Sequence, residues 1–75
     1  MQFIEMSGKT LQRVVQDDEL HPRELAKLGI TDESVVRINR QGDIEVRHGN
    51  RWDVIGGLLG RFEERVKRET GLDWA

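Results

Sequence analysis

The chain has 75 residues, of which 35% are charged and 36% apolar, and its formal net charge is −2. With no cysteine there is no disulfide framework, thiolate metal site or cysteine nucleophile, and two histidines are too few for an all-protein zinc site. Leu, Ile, Val and Phe supply 21 of the 75 residues, above the ~20% below which chains tend to stay disordered, so one small globular domain spanning residues 1–75 is expected.

Residues 1–19 carry the weakest pattern. Phe3–Met6 and Thr10–Val15 flank Ser7-Gly8-Lys9 and fit a strand hairpin, because Val14-Val15 is β-branched and Gly8 marks a turn. Leu11, Val14 and Val15 equally fit one side of a short helix. Next, Leu20-His21-Pro22-Arg23-Glu24-Leu25 reads as a helix start, with Pro22 where a missing N–H costs nothing. Leu20 and Leu25 occupy the two positions of a hydrophobic staple, and Gly29 supplies the stop.

A meander follows. Val36 and Ile38, then Ile44 and Val46, alternate with polar neighbours around Gln41-Gly42. His48-Gly49-Asn50 forms a second turn before a short strand in which Trp52 and Val54 are expected to face inward. Ile55, Leu58, Leu59, Phe62 and Val66 then follow helical spacing, with Glu63–Lys67 and Glu64–Arg68 as acid-to-base pairs. Gly71 stops this helix, and Trp74 lies beyond it. The expected fold is α+β: a small antiparallel sheet in the order β-β-α-β-β-β-α, packed by a C-terminal amphipathic helix. Its expected core is Phe3 or Ile4, Leu25, Leu28, Ile30, Val36, Ile38, Ile44, Val46, Trp52, Val54, Leu58, Leu59, Phe62 and Val66.

Few residues suggest chemistry. Ser7-Gly8-Lys9-Thr10 matches the end of a phosphate loop, but the glycine required five residues earlier is Phe3; a hairpin turn explains the segment better. Gly56, Gly57 and Gly60 suggest a turn with close packing rather than a ligand nest. Asp17-Asp18-Glu19 precedes a helix N-terminus, where the dipole alone favours negative charge, and reads as a solvated charge run. Arg37, Arg47 and Arg51 should point from the outer face of the meander. Cross-strand pairing with Glu45 and Asp53 accounts for them more simply than a ligand does.

One resemblance can be stated. Leu20-His21-Pro22-Arg23-Glu24-Leu25-Ala26-Lys27-Leu28-Gly29-Ile30, followed by Val35-Val36-Arg37-Ile38 and Gly42-Asp43-Ile44-Glu45-Val46, resembles the AbrB/MazE swapped-hairpin family across about residues 14–47. The resemblance implies a dimeric DNA-binding regulator or antitoxin with Arg13, Arg23 and Lys27 as DNA contacts. The chain departs from that pattern at His21 before the proline, at Asp32-Glu33-Ser34, and in the acidic Asp17-Asp18-Glu19.

The functional expectation is a non-catalytic, cofactor-free protein-interaction or assembly module that self-associates as a homodimer. So short a chain gains stability readily from association. Arg37, Arg47, Arg51 and Trp74 are its candidate interaction residues, and Trp74 either folds back as a lid on the core or anchors a partner, the lid being preferred. The alternative is a dimeric AbrB/MazE-like DNA-binding regulator. No run approaches the ~18 apolar residues of a membrane helix, and no signal-peptide pattern opens the chain; a cytoplasmic protein without membrane contact is expected.

Overall fold

Ser7 ends the first strand and caps the first helix, and there the structure departs from the sequence expectation. The computed structural model describes residues 1–74. Its elements are β1 (Phe3–Ser7), α1 (Gly8–Val14), α2 (Pro22–Lys27), β2 (Val35–Asn39), β3 (Asp43–His48), β4 (Arg51–Gly57) and α3 (Phe62–Thr70). The α+β class and the C-terminal helix stand, whereas the expected second strand, Thr10–Val15, is helical.

Two local facts make it so. The Ser7 Oγ accepts the Thr10 N–H at 3.2 Å, a side-chain cap that a hairpin turn would not supply. Leu11 and Val14, three apart on one helical face, are 0% and 1% exposed, so packing overrides the strand preference of Val14. Gly8 is required by close approach: a Cβ there would lie 1.9 Å from the Thr31 carbonyl oxygen. The Gly8 and Lys9 N–H groups donate to the Ser34 and Asp32 carbonyls at 2.8 and 3.1 Å, docking α1 on that loop.

Helix α2 follows its sequence signals. Pro22 opens it, and His21 Nδ1 accepts the Arg23 N–H at 3.1 Å. After Gly29, the Ile30 N–H returns to the Leu25 carbonyl at 3.0 Å. Leu20, Leu25 and Ile30 are buried, whereas Leu28, expected in the core, is 41% exposed.

The four strands pair antiparallel in the order β1-β2-β3-β4. Strand alternation puts Ile4, Met6, Val36, Ile38, Ile44 and Val46 on one face, where they join Leu11, Val14, Leu25, Phe62 and Val66 in one core. The helices therefore cover that face. Phe3, Glu5, Val35, Arg37, Glu45, Arg47, Trp52 and Val54 occupy the other. Trp52 and Val54 were expected inward, but Trp52 pairs with Arg47 and Val54 with Glu45, both on the outer face. A shift of one residue in register exchanges every side chain between faces.

The chain between Ile55 and Arg61 is also not helical as expected. Strand β4 runs to Gly57 and α3 begins at Phe62, so only Phe62 and Val66 of the expected stripe lie on the helix. Leu58 is buried in the connection, whereas Leu59 is 58% exposed. The connection crosses Gly42, whose carbonyl accepts the Leu58 N–H at 2.8 Å. Gly42 has φ +89°, and a Cβ on it would meet the Phe62 ring at 3.0 Å, so turn and close contact both demand glycine. On α3, Lys67 pairs with Asp73 and Arg68 with Glu69, rather than with the acids four residues earlier.

Trp74 closes the core. It is 5% exposed, meets the Phe62 ring edge-on at 5.8 Å and 85°, and donates its indole N–H to the Ile38 carbonyl at 3.0 Å. The preferred lid reading thus describes its position. Replacing Trp74 by Ala should cost about 3 kcal/mol, as for other buried aromatics, equally at low and high protein concentration in denaturant melts. Gly8→Ala should lose at least about 2 kcal/mol, since either backbone must move to admit the methyl group; the same melts measure it.

Candidate functional site

On the helix-free face, register places Arg37 directly between Glu5 on β1 and Glu45 on β3. Its guanidinium donates to Glu45 Oε1 at 3.0 Å and lies between two rings, 3.8 Å from the Phe3 centroid and 4.2 Å from that of Trp52. The Arg37 side chain is 22% exposed and that of Glu45 12%. Each ring contact is worth roughly 0.5–2 kcal/mol, more as water is excluded. The result is a fixed aromatic–arginine–aromatic stack on an open sheet. Arg37 Nε is buried without a hydrogen-bond partner, so the stack is held by ring contact and one ion pair.

Apolar side chains flank the stack in solvent: Val35 is 41% exposed and Val54 67%. The charges on this face nearly balance, with Glu5, Asp43 and Glu45 against Arg37 and Arg47. Arg47 donates to the Gly49 carbonyl at 3.0 Å. Arg51, its side chain 75% exposed, lies on the edge strand 3.6 Å from Asp53, which also holds His48 Nδ1 at 2.7 Å. The cross-strand pairing expected with Glu45 is present for Arg37, whereas Arg51 meets Asp53 within its own strand; opposite His48, it shares the face of Ile44 and Val46 rather than the outer face expected for it. Beside Phe3 is a shallow depression of about 170 Å³ lined by Gln2, Asn39, Arg40 and Gln41, smaller than the ~300 Å³ of ordinary ligand pockets.

The remaining expected site residues lie elsewhere. Arg13 is on α1, and Arg23 and Lys27 are on α2, in the helical layer behind the sheet and apart from Arg37 and Arg47. Trp74 seals the core on that same side. At the phosphate-loop-like segment, the Gly8, Lys9 and Thr10 N–H groups are taken by Ser34, Asp32 and Ser7, so the helix start holds chain.

One buried construction escaped the sequence reading. Glu19, expected in a solvated charge run, has a fully buried side chain, and its partner Arg65 is 13% exposed. Arg65 donates to both Glu19 carboxylate oxygens at 2.7 and 2.6 Å. It also donates to the Val14 and Leu59 carbonyls at 2.6 and 2.9 Å. The carboxylate accepts the Gln16 and Leu59 N–H groups at 2.8 and 2.5 Å. Burial works against the charge of Glu19, but the Arg65 hydrogen bonds, the two backbone donors and the Arg65 charge together outweigh it and lower the Glu19 pKa. The Glu19 hydrogen bonds and charge in turn raise that of Arg65 against its own burial. No local signal marks a pair whose members are 46 residues apart.

Comparison with family models, with curated proteins and with solved structures found no match.

Because the folded-state pKa of Glu19 lies below its ordinary value of 4.5, its contribution to stability is present above that value and is lost as pH falls through the folded one. Glu19→Gln should cost about 3 kcal/mol at neutral pH, since it leaves Arg65 buried without its counter-charge. Urea melts from pH 7 down to about 3 should show the gap between wild type and Glu19→Gln narrowing as the carboxylate protonates.

Proposed function

We propose that this domain is a non-catalytic, cytoplasmic protein-interaction or assembly module that self-associates through its helix-free sheet face. The observation that carries the reading is the Arg37 stack between Phe3 and Trp52, bordered by exposed Val35 and Val54. Trp and Arg are enriched among the residues that dominate interface energetics. Here they are pre-ordered, which lowers the entropy lost on docking.

The balance of charge favours a protein partner over nucleic acid. A phosphate backbone is held by an excess of Lys and Arg, but on this face the carboxylates of Glu5, Asp43 and Glu45 offset Arg37 and Arg47. The arginines and lysine that would contact DNA under the AbrB/MazE resemblance belong to the other layer.

Sedimentation equilibrium tests the reading. The mass should rise above 8.7 kDa with protein concentration, and Val35→Lys, which adds charge to the face and leaves the core untouched, should weaken association. A wild-type mass fixed at the monomer value, together with duplex-DNA binding that weakens steeply with salt, would replace this reading by the DNA-binding one.

A further inference from the structure

We infer that the free edge of β4 pairs antiparallel with β4 of a second copy, in a register centred on Trp52. This rests on the assembly reading above and adds to the sheet face named there a second surface, with its partner. In the sheet order, β4 has a strand neighbour on one side only. The two-residue turn Gly49-Asn50 is closed by the pair His48–Arg51, which in such hairpins is hydrogen-bonded. The alternation of an antiparallel ladder then turns the N–H and C=O of Trp52 and Val54 toward the empty side.

Three two-fold registers use those groups. Centring on Val54 draws Ile55 and Gly56 into the pairing, across the irregularity opposite Ile44/Glu45, where a bulge interrupts the ladder. Centring on Asp53 sets that carboxylate against its own copy, and like charges directly opposite are unfavourable. Centring on Trp52 avoids both. It places Arg51 of each copy opposite Asp53 of the other, on the same sheet face, and sets the two Trp52 rings side by side at the axis. Arg51 can turn to the second copy, since its side chain is 75% exposed and its contact with its own Asp53 is long, at 3.6 Å. The two sheets become one, and the outer faces that carry the Arg37 stacks become continuous. An edge pair this short is small beside a standard interface of ~1,600 Å², so the dimer is weak and must be sought up to about 1 mM.

The register makes a demand that no intramolecular effect can meet. In Arg51→Asp, position 51 and Asp53 of facing copies are both acidic; in Asp53→Arg both are basic. Mixed, the two variants restore opposite charges at both contacts. Sedimentation equilibrium at low salt should show each single variant dimerising at least about tenfold more weakly than wild type, from two opposed like-charge pairs. The equimolar mixture should return to the wild-type constant. Circular dichroism confirms that these surface variants keep their fold. An Arg51→Asp variant that dimerises like wild type, or a mixture without rescue, would overturn the edge register. If Val35→Lys still weakens association in that case, the assembly reading stands with another surface. A wild type that remains monomeric throughout overturns both.

Discussion

The contact on which the rest of the structure depends is the ion pair between Glu19 and Arg65. It joins four pieces of chain that share no strand or helix: the end of α1 through the Val14 carbonyl, the residue 16–19 turn, the Leu59 connection, and α3. A buried ion pair is often no better than a well-packed apolar substitute. Its effect here is to specify an arrangement. The connection from β4 to α3 contributes a single buried apolar side chain, Leu58. Without the carboxylate and guanidinium gripping both the N–H and C=O of Leu59, little would fix where α3 begins. Leu59 is consequently an exposed side chain on an immobilised backbone.

The open sheet face is organised by the same economy of polar contacts, with the opposite outcome. Glu19 satisfies its partner and is sealed away, whereas Arg37 lies between rings on a surface facing water. Its position answers the difficulty of a four-stranded sheet covered on one side only. Phe3 and Trp52 would otherwise present their rings to solvent. The guanidinium stacks on both, shields part of each, and keeps one charged edge for Glu45.

The parts of this fold legible in the sequence are those whose signals lie close together along the chain. Helix α2 carries its proline, staple and glycine stop within eleven residues, from Leu20 to Ile30. The turn at Gly42 and the inward set Val36, Ile38, Ile44 and Val46 were legible for the same reason. What could not be read was decided from a distance. Leu11, Val14 and Val15 fit helix and strand alike, and the choice falls to the Ser7 cap and to the burial of Leu11 and Val14 in a core built from distant strands. Trp52 and Val54 alternate as a buried strand would, but their face is set by Arg47 and Glu45 across the ladder. Of the candidate site, Arg37 and Arg47 were legible as outward residues, whereas Arg51 was not, because the register that turns Trp52 outward turns Arg51 to the face of Ile44 and Val46. The aromatic slot around Arg37 was not, because it needs Phe3 from the far end of the chain.

Separating the sheet's two faces also separates stability from the proposed association. The side chains that close the core, Trp74 and Phe62 among them, lie on the helical side, and the Glu19–Arg65 pair ties down the chain that packs there. Val35 and Val54 touch water on the other face, and neither belongs to the core. An exposed, isolated valine on a sheet is unremarkable; here two share the face of an ordered Trp–Arg–Phe stack, with Glu45 and Arg47 between them. The stack itself is favourable in the folded chain, but Val35 and Val54 gain little from folding, which leaves them wet. A partner surface that excluded that water would also strengthen the Arg37–Glu45 pair, as the local dielectric falls. Selection for stability in a monomer would replace Val54, at 67% exposure, with a polar β-former at little cost. Its place beside the stack, on the strand with a free edge, is what the proposed association would use.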